Sequence, residues 1–418
     1  MILHGHPMGN TFVRELAKGL VEAGMLTEHW TAFDFPENEN WLRWLPNEVL
    51  RQMRRRRLPA EVRPFARLRP WHEMGRLFGP QIGFSKWASH EHGRCSVDRV
   101  LHDLDRRIAR RMKERPGIRG VYLYEDGAAE SFAVARDLGI HTFYDLPIGY
   151  WRVARRLLVE EAQLSPEWAK TLEGNSDSGP KLARKDRELD LSDTVLVASS
   201  FTQQTLSEFP GVLPEVVVVP YGAPTPVPNI SPSVRLPDES LKILFVGSLG
   251  QRKGLRYLLE AVESLKGQGG YDLTLIGTMP GAKCEPLRKA VQRHRYIPSL
   301  PHAEILAEMR RHHVLVLPSL FEGFGLVLTE AMANGLPIIA TAHTAAPDLI
   351  ENGKEGYLVP IRSADQIAAR LTDLRGDETR RQAMAEAAIS RSMKQTWGHY
   401  RRTISQVMGR QLSNENHG

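Results

Sequence analysis

The stretch LPSLFEGFGLVLTEAMANGLPIIAT, residues 317–341, decides the fold of this chain. The run VLVLPS (314–319) overlaps its start, and the branched apolar residues of this run predict a buried strand. LVLTEAMAN predicts a helix that ends at Gly335, with Pro337 just beyond it. PIIAT (337–341) then predicts the next strand. A strand, a helix and a strand in this order indicate a parallel sheet that is covered by helices.

The same alternation of strands and helices extends in both directions along the chain. Upstream, the apolar runs that predict strands are MILHG (1–5), GVYLYE (120–125), HTFYDLP (141–147), TVLVASS (194–200) and VVVVPYG (216–222). Downstream, the strands are predicted at LKILFVGSLG (241–250), DLTLIG (272–277) and, more weakly, near Tyr296. Amphipathic stretches between these runs predict helices. We therefore expect an α/β protein with two doubly wound, Rossmann-like domains.

Changes in composition divide the chain into domains. We expect an N-terminal domain at 1–222, a linker at 223–240 and a C-terminal domain at 241–376. The linker is rich in proline and serine and has no apolar period. Residues 377–418 are predicted to form charged helices that return to the N-terminal domain, with Trp397 and Tyr400 as bulky anchors.

The overall composition is that of a soluble globular protein. The chain has 418 residues, of which 42% are hydrophobic and 25% are charged. It lacks the run of roughly 18 apolar residues that a membrane span needs, and its first residues do not resemble a signal peptide. Cys95 and Cys284 fall in different predicted domains, so neither a disulfide framework nor a zinc site is predicted. We expect a cytoplasmic protein, and its net charge of +6 permits an anionic partner.

Two acids flank the predicted start of the motif helix. Glu322 lies in the loop after the strand, and Glu330 lies on the helix. In open α/β sheets, ligands bind at the carboxyl ends of strands, where a helix start offers free N–H groups and the positive end of the helix dipole. Gly323 and Gly325 let the backbone approach a ligand closely. Because carboxylates accept hydrogen bonds from hydroxyls, this pattern predicts a ligand with central phosphates and a hydroxyl-rich ring at each end, such as a nucleotide-sugar.

This stretch resembles the Glu-x7-Glu signature of retaining glycosyltransferase family 4, whose members have the GT-B fold, with two Rossmann-like domains that face each other across a cleft. The resemblance covers most of the chain. It also includes Gly9 in the first loop, DTVLVASSFTQQTL (193–206), VVVVPYG (216–222), FVGSLGQRKGLRYLLEAV (245–262) and DLIENGKEGYLVP (348–360). It implies a hexosyltransferase that acts in polysaccharide, glycolipid or cell-envelope glycan synthesis.

The resemblance implies where each substrate binds. A UDP-, GDP- or ADP-linked sugar would bind mainly to the C-terminal domain, and a glycan or lipid-linked acceptor would bind to the N-terminal domain. Transfer would retain the anomeric configuration and would need neither a metal nor another cofactor. The base, the sugar and the acceptor are not encoded in any motif that we can interpret.

The resemblance also implies roles for single residues. Glu322 would contact the hydroxyls of the donor sugar, and Glu330 would contact those of the ribose. Further donor contacts would come from the backbone of Phe324, Gly325 and Leu326, from Ser248 and, near the base, from Ile297. In the N-terminal domain, the cleft would be lined by Gly9, Asn10, Tyr144 and Asp145.

Arg252 and Lys253 would neutralise the leaving diphosphate and would complete the catalytic set with Glu322. This role also follows from chemistry, because negative charge develops on the leaving oxygen. Without a metal, fixed cations and backbone amides must stabilise that charge.

Two positions depart from the family's pattern. Ser248 stands where many members have an arginine, so Arg252 and Lys253 would carry more of the phosphate load. FYDLP, with Tyr144 and Asp145, stands where many members have a histidine just before the acid. Asp145 has the alternative role of capping the following helix.

Residues 41–95 interrupt the alternation and are predicted to form a basic insertion. It is dense in arginine from Arg51 to Arg69, with tryptophan and phenylalanine residues between the arginines. One interpretation is a solvated or acceptor-facing surface, and another is an element that binds anionic lipid at the inner face of the cell membrane. Nucleic acid is not a predicted partner, because no nucleic-acid-binding motif accompanies the arginines.

Two alternatives to a transferase remain open. Another GT-B enzyme, such as a nucleotide-sugar epimerase or a phosphorylase, would share the fold, and a phosphorylase would need a lysine that holds pyridoxal phosphate. A catalytically silent scaffold would bind the nucleotide-sugar without turnover. His4 and His6 share a strand face, but no third ligand accompanies them, so no metal site is predicted.

Overall fold

The computed structural model describes residues 1–36, 38, 40, 47–172, 177–228, 230–281 and 284–414. These residues form two α/β units, each built on one parallel sheet, and the sheets have seven and six strands. The predicted fold class of two doubly wound domains is confirmed.

The first sheet contains β1 (Ile2–Gly5), β2 (Leu26–Thr31), β3 (Ala66–Leu68), β4 (Gly120–Tyr124), β5 (His141–Leu146), β6 (Thr194–Val197) and β7 (Glu215–Val218). Its strand order is β3-β2-β1-β4-β5-β6-β7. The helices of this part are α1 (Thr11–Glu22), α2 (Asn47–Arg54), α3 (Trp71–Phe78), α4 (Val97–Glu114), α5 (Ala129–Leu138), α6 (Trp151–Leu164), α7 (Gly179–Asp190) and α8 (Ser200–Thr205). The order reverses beside β1, so the loop after β1 lies at the switch point where α/β sheets bind ligands.

The second sheet contains β8 (Leu241–Val246), β9 (Tyr271–Ile276), β10 (Arg295–Ile297), β11 (Val314–Leu317), β12 (Ile338–Thr341) and β13 (Gly356–Val359). Its strand order is β10-β9-β8-β11-β12-β13. The helices of this part are α9 (Leu255–Ser264), α10 (Glu285–Arg293), α11 (His302–Met309), α12 (Leu326–Ala333), α13 (Ala346–Leu349) and α14 (Ala364–Gly376). Its switch point lies between β8 and β11, where the motif loop begins.

The central strands of both sheets are buried on both faces. Every residue of β4, β5, β11 and β12 is buried. Because helices cover both faces of a parallel sheet, such strands are continuous apolar runs in the sequence. For this reason the sequence predicted them correctly.

Three strands were not predicted. β2 was missed because it buries polar residues: Glu28 and His29 are 1% and 2% exposed. Glu28 can be buried because Arg111 and Arg115 donate hydrogen bonds to its carboxylate. β3 has only three residues, and β13 lies in the segment 348–360, which was quoted for its resemblance and not as a strand.

The C-terminal helices α15 (Glu378–Lys394) and α16 (Trp397–Asn414) follow the second sheet, and α16 packs against α1 of the first part. Tyr400 is 2% exposed, and its ring centroid lies 5.7 Å from that of Tyr221. Arg401 donates to Glu22 at 2.9 Å and also binds Glu15. The chain therefore crosses between the two units twice, once near Tyr221 and once near Trp397.

Within the described ranges, no helix combines the length and the apolar content that crossing a bilayer requires. Cys95 and Cys284 are both free thiols.

Candidate active site

The loop of the motif joins β11 to α12 and packs against the N-terminal domain. Gly325 precedes α12 with a φ of +83°, a conformation that residues with a Cβ rarely adopt. At Gly323, a Cβ would come within 1.9 Å of the carbonyl oxygen of Pro147. The hydroxyls of Ser199 and Thr202 donate to the carbonyl oxygen of Gly323 at 2.5 Å and 3.0 Å. The close approach of the two domains therefore requires Gly323, and the backbone conformation before α12 requires Gly325.

Glu322 is the centre of a charged cluster in this loop. Its Oε2 accepts hydrogen bonds from Nζ of Lys253 at 2.5 Å and from Nη1 of Arg252 at 3.4 Å. Burial by itself would raise the pKa of Glu322, but the charges and hydrogen bonds of Lys253 and Arg252 outweigh burial and lower the pKa from its ordinary value. The carboxylate is therefore ionised at neutral pH and holds both cations beside the start of α12.

The turn that carries the two cations is attached to the same loop. Gln251–Lys253 form a short 3-10 helix, and the N–H of Leu320 donates to the carbonyl oxygen of Arg252 at 2.9 Å. Gly254 follows with a φ of +68°, and a Cβ there would come within 2.0 Å of the carbonyl oxygen of Pro318. The structure thus brings the three predicted catalytic residues together.

Glu330 lies one turn further along α12 and has a partner that the sequence did not reveal. Nε2 of His302, the first residue of α11, lies 2.8 Å from Oε1 of Glu330. This hydrogen bond raises the pKa of His302, while burial and the positive charge of Arg14 oppose the rise. His302 is separated from Glu330 by 28 residues and follows no motif, so only the fold pairs them.

The other predicted donor residues lie along the carboxyl edge of the second sheet. Ser248 follows β8, Ile297 ends β10, and both are half-buried. The side chain of Phe324 is buried: the residue is 3% exposed, and its ring centroid lies 5.1 Å from that of Tyr221. Only the backbone of Phe324 could therefore contact a ligand. Leu326, the first residue of α12, is half-buried. The N–H groups of this first turn have no partner within the helix.

A cleft of about 720 Å³ opens where α12 begins. Leu326 and His302 line one wall, and Gly9 and Asn10, in the loop after β1, line the other. A Cβ at Gly9 would come within 2.5 Å of the carbonyl oxygen of Arg55, so the basic insertion packs directly on this loop. The insertion is therefore part of the cleft wall.

Two residues that were predicted to line the cleft lie in the interior. The ring of Tyr144 is fully buried, and its hydroxyl lies 3.3 Å from Glu188. Asp145 points to the opposite face of β5, is 3% exposed and accepts a hydrogen bond from Tyr122 at 2.7 Å. Because both faces of β5 are covered, neither side chain reaches the cleft, and this prediction is wrong. Asp145 is not a helix cap either, since α6 begins only at Trp151.

A second contact between the domains holds the cation-bearing turn from the other side. Glu161 of α6 is fully buried and accepts hydrogen bonds from Gln251 at 2.7 Å, Tyr257 at 2.9 Å and Arg362 at 2.9 Å. Arg362 has a φ of +60°, which is uncommon for a residue with a side chain. Sequence analysis missed Glu161, because an acid in the helical run VEEAQL is usually solvated.

Most arginines of the insertion contact other residues of the protein. Their partners are Glu73 for Arg56, the Pro36 carbonyl and the Phe35 ring for Arg57, Asp34 for Arg63, Glu28 for Arg67, and Asp103 for Arg69. These pairs reduce the charge that the segment could offer to a membrane. The side chain of Arg51 and the nearby Trp41 and Trp44 lie outside the described residues.

One cluster has the composition of a metal site. Among the described residues, His90, Glu91 and Asp177 place ligand atoms within 4.8 Å of one another. However, Lys181 and Lys185 lie 3.3 Å and 3.4 Å from the two carboxylate oxygens of Asp177. The cluster is therefore part of an ion-pair network.

Comparisons with known sequences match part of the chain. Residues 227–391 match the family model for glycosyl transferases, group 1. The putative colanic acid biosynthesis glycosyltransferase WcaL of Salmonella typhimurium is 34% identical over 154 residues, or 34% of this chain and 37% of WcaL. The amylovoran biosynthesis glycosyltransferase AmsK of Erwinia amylovora is 34% identical over 149 residues, or 32% of this chain and 36% of AmsK. The chain thus spans little more than a third of the length of these curated relatives.

Solved structures match nearly the whole chain. Sucrose-phosphate synthase of Thermosynechococcus elongatus superposes with a TM-score of 0.65 at 18% identity and covers 99% of both chains. HepE of Anabaena, solved with UDP and glucose, has a TM-score of 0.61 at 14% identity and covers 98% of this chain and 99% of HepE. The chain has the GT-B fold. At these identities the likeness shows the fold alone.

Proposed function

We propose that the protein is a retaining, metal-independent glycosyltransferase that moves a hexosyl group from a nucleotide-sugar to a hydroxyl of a glycan or lipid-linked acceptor. The observation that carries this proposal is the pairing of Lys253 and Arg252 with Glu322 beside the start of α12. The match to group 1 glycosyl transferases, and relatives named for colanic acid and amylovoran biosynthesis, support a role in polysaccharide synthesis.

The charged cluster suits the departure of a nucleoside diphosphate. Negative charge develops on the leaving oxygen as the glycosidic bond breaks, and preorganised cations and N–H groups stabilise such charge best. Lys253 and Arg252 are held in place by Glu322 before any ligand arrives, so little reorganisation is needed. The N–H groups at the start of α12 add the positive end of the helix dipole.

The donor would lie along α12, with its sugar near Glu322 and its ribose near Glu330. Glu330 is 18% exposed and is bound to His302, so a ribose must displace or share that hydrogen bond. Ser248 and Ile297 lie at the carboxyl ends of β8 and β10, where the base would follow. The acceptor would enter from the wall that Gly9 and Asn10 line.

A panel of UDP, GDP and ADP in a thermal-shift assay tests the donor half of the proposal. A ligand at a hundred times its dissociation constant adds about 2.7 kcal/mol of stability. Lys253→Ala should abolish most of this gain in stability, because the diphosphate would lose its contact with the Lys253 ammonium group. Lys354→Ala is the matched control, since Lys354 is 61% exposed and its ion pair among the described residues is with the nearby Glu351 at 3.2 Å. A chain that none of the three nucleotides stabilises would contradict the proposal.

Product analysis with the identified donor tests the reaction. Transfer to an acceptor, or slow release of free sugar with the α or β configuration of the donor, is the expected result. A nucleotide-sugar epimerase would return an altered donor, and a phosphorylase would require inorganic phosphate. A silent scaffold would bind the donor and leave it intact.

The insertion also bears on where the protein acts. Its arginines are mostly paired, but Trp71, Ile82 and Phe84 are 76%, 65% and 49% exposed. Aromatic side chains favour the boundary of a bilayer, so these residues support contact with an anionic membrane surface. Sedimentation with anionic vesicles should fall in Trp71→Ala and persist in the control Met393→Ala, whose exposed residue lies on α15. If the wild-type protein does not bind such vesicles at low salt, contact with an anionic membrane surface is contradicted.

A further inference from the structure

The N-terminal wall of the cleft carries an excess of positive charge. Arg14 of α1 and Arg55, Arg56 and Arg76 of the insertion region line it, opposite His302 and Leu326. Within the part of the chain that the structure describes, no carboxylate lines this cleft. Arg14 lies on α1, Arg76 lies on α3, and Arg55 and Arg56 lie in the turn after α2, so only the tertiary structure assembles them.

A single acid compensates this group. Glu73, which is 1% exposed, binds Arg76 at 2.7 Å and 2.8 Å and also pairs with Arg56. Arg14 donates to the carbonyl oxygen of Arg55 at 3.4 Å and interacts electrostatically with Glu15, and neither Arg14 nor Arg55 forms an ion pair within 4 Å among the described residues. Two of the four guanidinium groups therefore share one carboxylate, and positive charge on this wall exceeds negative charge among the described residues.

Part of this charge is buried, and one of its donor groups is left without a partner. Arg56 is 6% exposed and pairs with Glu73, but its Nε is buried without a hydrogen-bond partner. Burial lowers the pKa of Arg14 as well, because water is partly removed from its guanidinium. Buried cations are normally paired, so an anion that entered the cleft would satisfy groups that the protein leaves open.

We propose that these arginines form a subsite for a phosphate or diphosphate group of the acceptor. The planar guanidinium offers paired N–H donors that match phosphate oxygens, and several such groups around one cleft bind an oxyanion better than a neutral sugar. That the molecule which carries this phosphate is the acceptor rests on the proposed function. The subsite also explains why an arginine-rich insertion packs against Gly9.

The position of the subsite separates it from the donor diphosphate. Arg252 and Lys253 belong to the C-terminal domain and do not line this cleft, whereas the arginines of the subsite line it from the N-terminal side, opposite Leu326 at the start of α12. A cleft of about 720 Å³ has room for a nucleoside diphosphate and a second anionic group. The acceptor approaches from this wall, and its phosphate would be held there during transfer.

Inorganic pyrophosphate is the probe, and isothermal titration is the measurement. The protein is first saturated with whichever of UDP, GDP or ADP stabilises it, and pyrophosphate is then added. Pyrophosphate should bind without displacing the nucleotide. Arg55→Gln and Arg14→Gln should each weaken pyrophosphate binding about tenfold and change nucleotide affinity less than twofold. Arg110→Gln, on the exposed face of α4, is the control and should change neither.

Two results would overturn the subsite. One is the absence of pyrophosphate binding to the nucleotide-saturated protein, and the other is an equal loss of nucleotide affinity in Arg55→Gln, which would assign the arginines to the donor. Arg55 is exposed, so its variant should fold even if Arg14→Gln does not. Titration of the nucleotide-free protein separates the two proposals: a chain that binds pyrophosphate at Arg55 but no nucleoside diphosphate would contradict only the proposed function.

The same titration with farnesyl diphosphate in place of pyrophosphate distinguishes a lipid-linked acceptor from a soluble phosphorylated one. Tighter binding than that of pyrophosphate, again lost in Arg55→Gln, is expected for a lipid-linked acceptor. Equal binding is expected for a soluble phosphorylated acceptor. Binding that Arg55→Gln leaves unchanged would contradict the subsite.

Discussion

Oε1 of Glu161 lies 2.7 Å from Nε2 of Gln251, and this hydrogen bond ties helix α6 of the N-terminal domain to the residue that precedes Arg252. Tyr257 and Arg362 donate to the same carboxylate. The positions of Arg252 and Lys253, the predicted catalytic cations, therefore depend on contacts with the other domain. We infer that closing the two domains and positioning these cations are one event.

The first prediction tests this dependence. Glu161→Ala should lower turnover and increase hydrogen exchange at residues 251–257, because Gln251 and Arg362 lose their shared acceptor. Removing one partner of a buried ion pair costs about 3 to 5 kcal/mol, so the free energy of unfolding should fall as well. Glu161→Gln keeps one acceptor oxygen and should rescue turnover in part. Glu160→Ala is the control, since Glu160 is 49% exposed and its ion pair among the described residues is with Arg362. Equal turnover in Glu161→Ala and Glu160→Ala would contradict the inference.

The second prediction separates the two acids of the motif. Glu322→Gln should lower the rate of sugar transfer and should not weaken nucleoside diphosphate binding, because Lys253 and Arg252 remain and lose their competing carboxylate. Glu330→Gln should weaken nucleoside diphosphate and intact donor alike, by roughly 1.5 to 3 kcal/mol. Titration of the diphosphate with each variant, beside turnover, measures both effects. Equal losses of diphosphate affinity would show that the assigned roles are wrong.

The third prediction concerns the pH dependence of nucleotide binding. The hydrogen bond to Glu330 raises the pKa of His302, so at low pH a protonated His302 holds the carboxylate that the ribose needs. Nucleotide affinity should therefore rise with pH as His302 loses its proton, at a pH above the ordinary histidine value of 6.5. His302→Gln should remove this dependence, and the exposed His92→Gln should keep it. Calorimetry between roughly pH 6 and pH 8.5 would show the difference. If the nucleotide affinity of the wild-type protein does not change with pH, His302 and the ribose do not compete for Glu330.

The fourth prediction concerns stability. Burial raises the pKa of Asp145 from 3.8 to about 7, although the hydrogen bond from Tyr122 partly opposes the rise. The folded protein then holds this proton more tightly than the unfolded chain, so the contribution of Asp145 to the free energy of unfolding falls as pH rises from about 4 to about 7.

Asp145→Asn cannot ionise and can still accept the hydrogen bond from Tyr122. Relative to wild type, it should gain stability across this range, by at most about 4 kcal/mol above neutral pH. Urea unfolding at several pH values measures the gain, with the exposed Asp137→Asn as the control. A difference between Asp145→Asn and wild type that does not change with pH would rule out a buried, protonated Asp145.

The sequence by itself determined the elements that have local signals. Runs such as VLVLPS and PIIAT identify buried parallel strands, because both faces of such strands are covered and only apolar residues remain. Gly325 and the two acids around it predict a helix start that is suited to a ligand, because a positive φ and a free helix N-terminus leave a local pattern. The family resemblance and the chemistry of a leaving diphosphate, rather than this local pattern, added Arg252 and Lys253 to the predicted set.

Only the tertiary structure decided the pairings between distant residues. Glu161 with Gln251, and His302 with Glu330, join residues 90 and 28 positions apart. No periodicity or motif records such contacts, since each depends on how two elements pack. The same reason explains the errors at Tyr144 and Asp145: alternation along a strand is visible in the sequence, but whether a helix covers each face is settled only when the sheet is assembled.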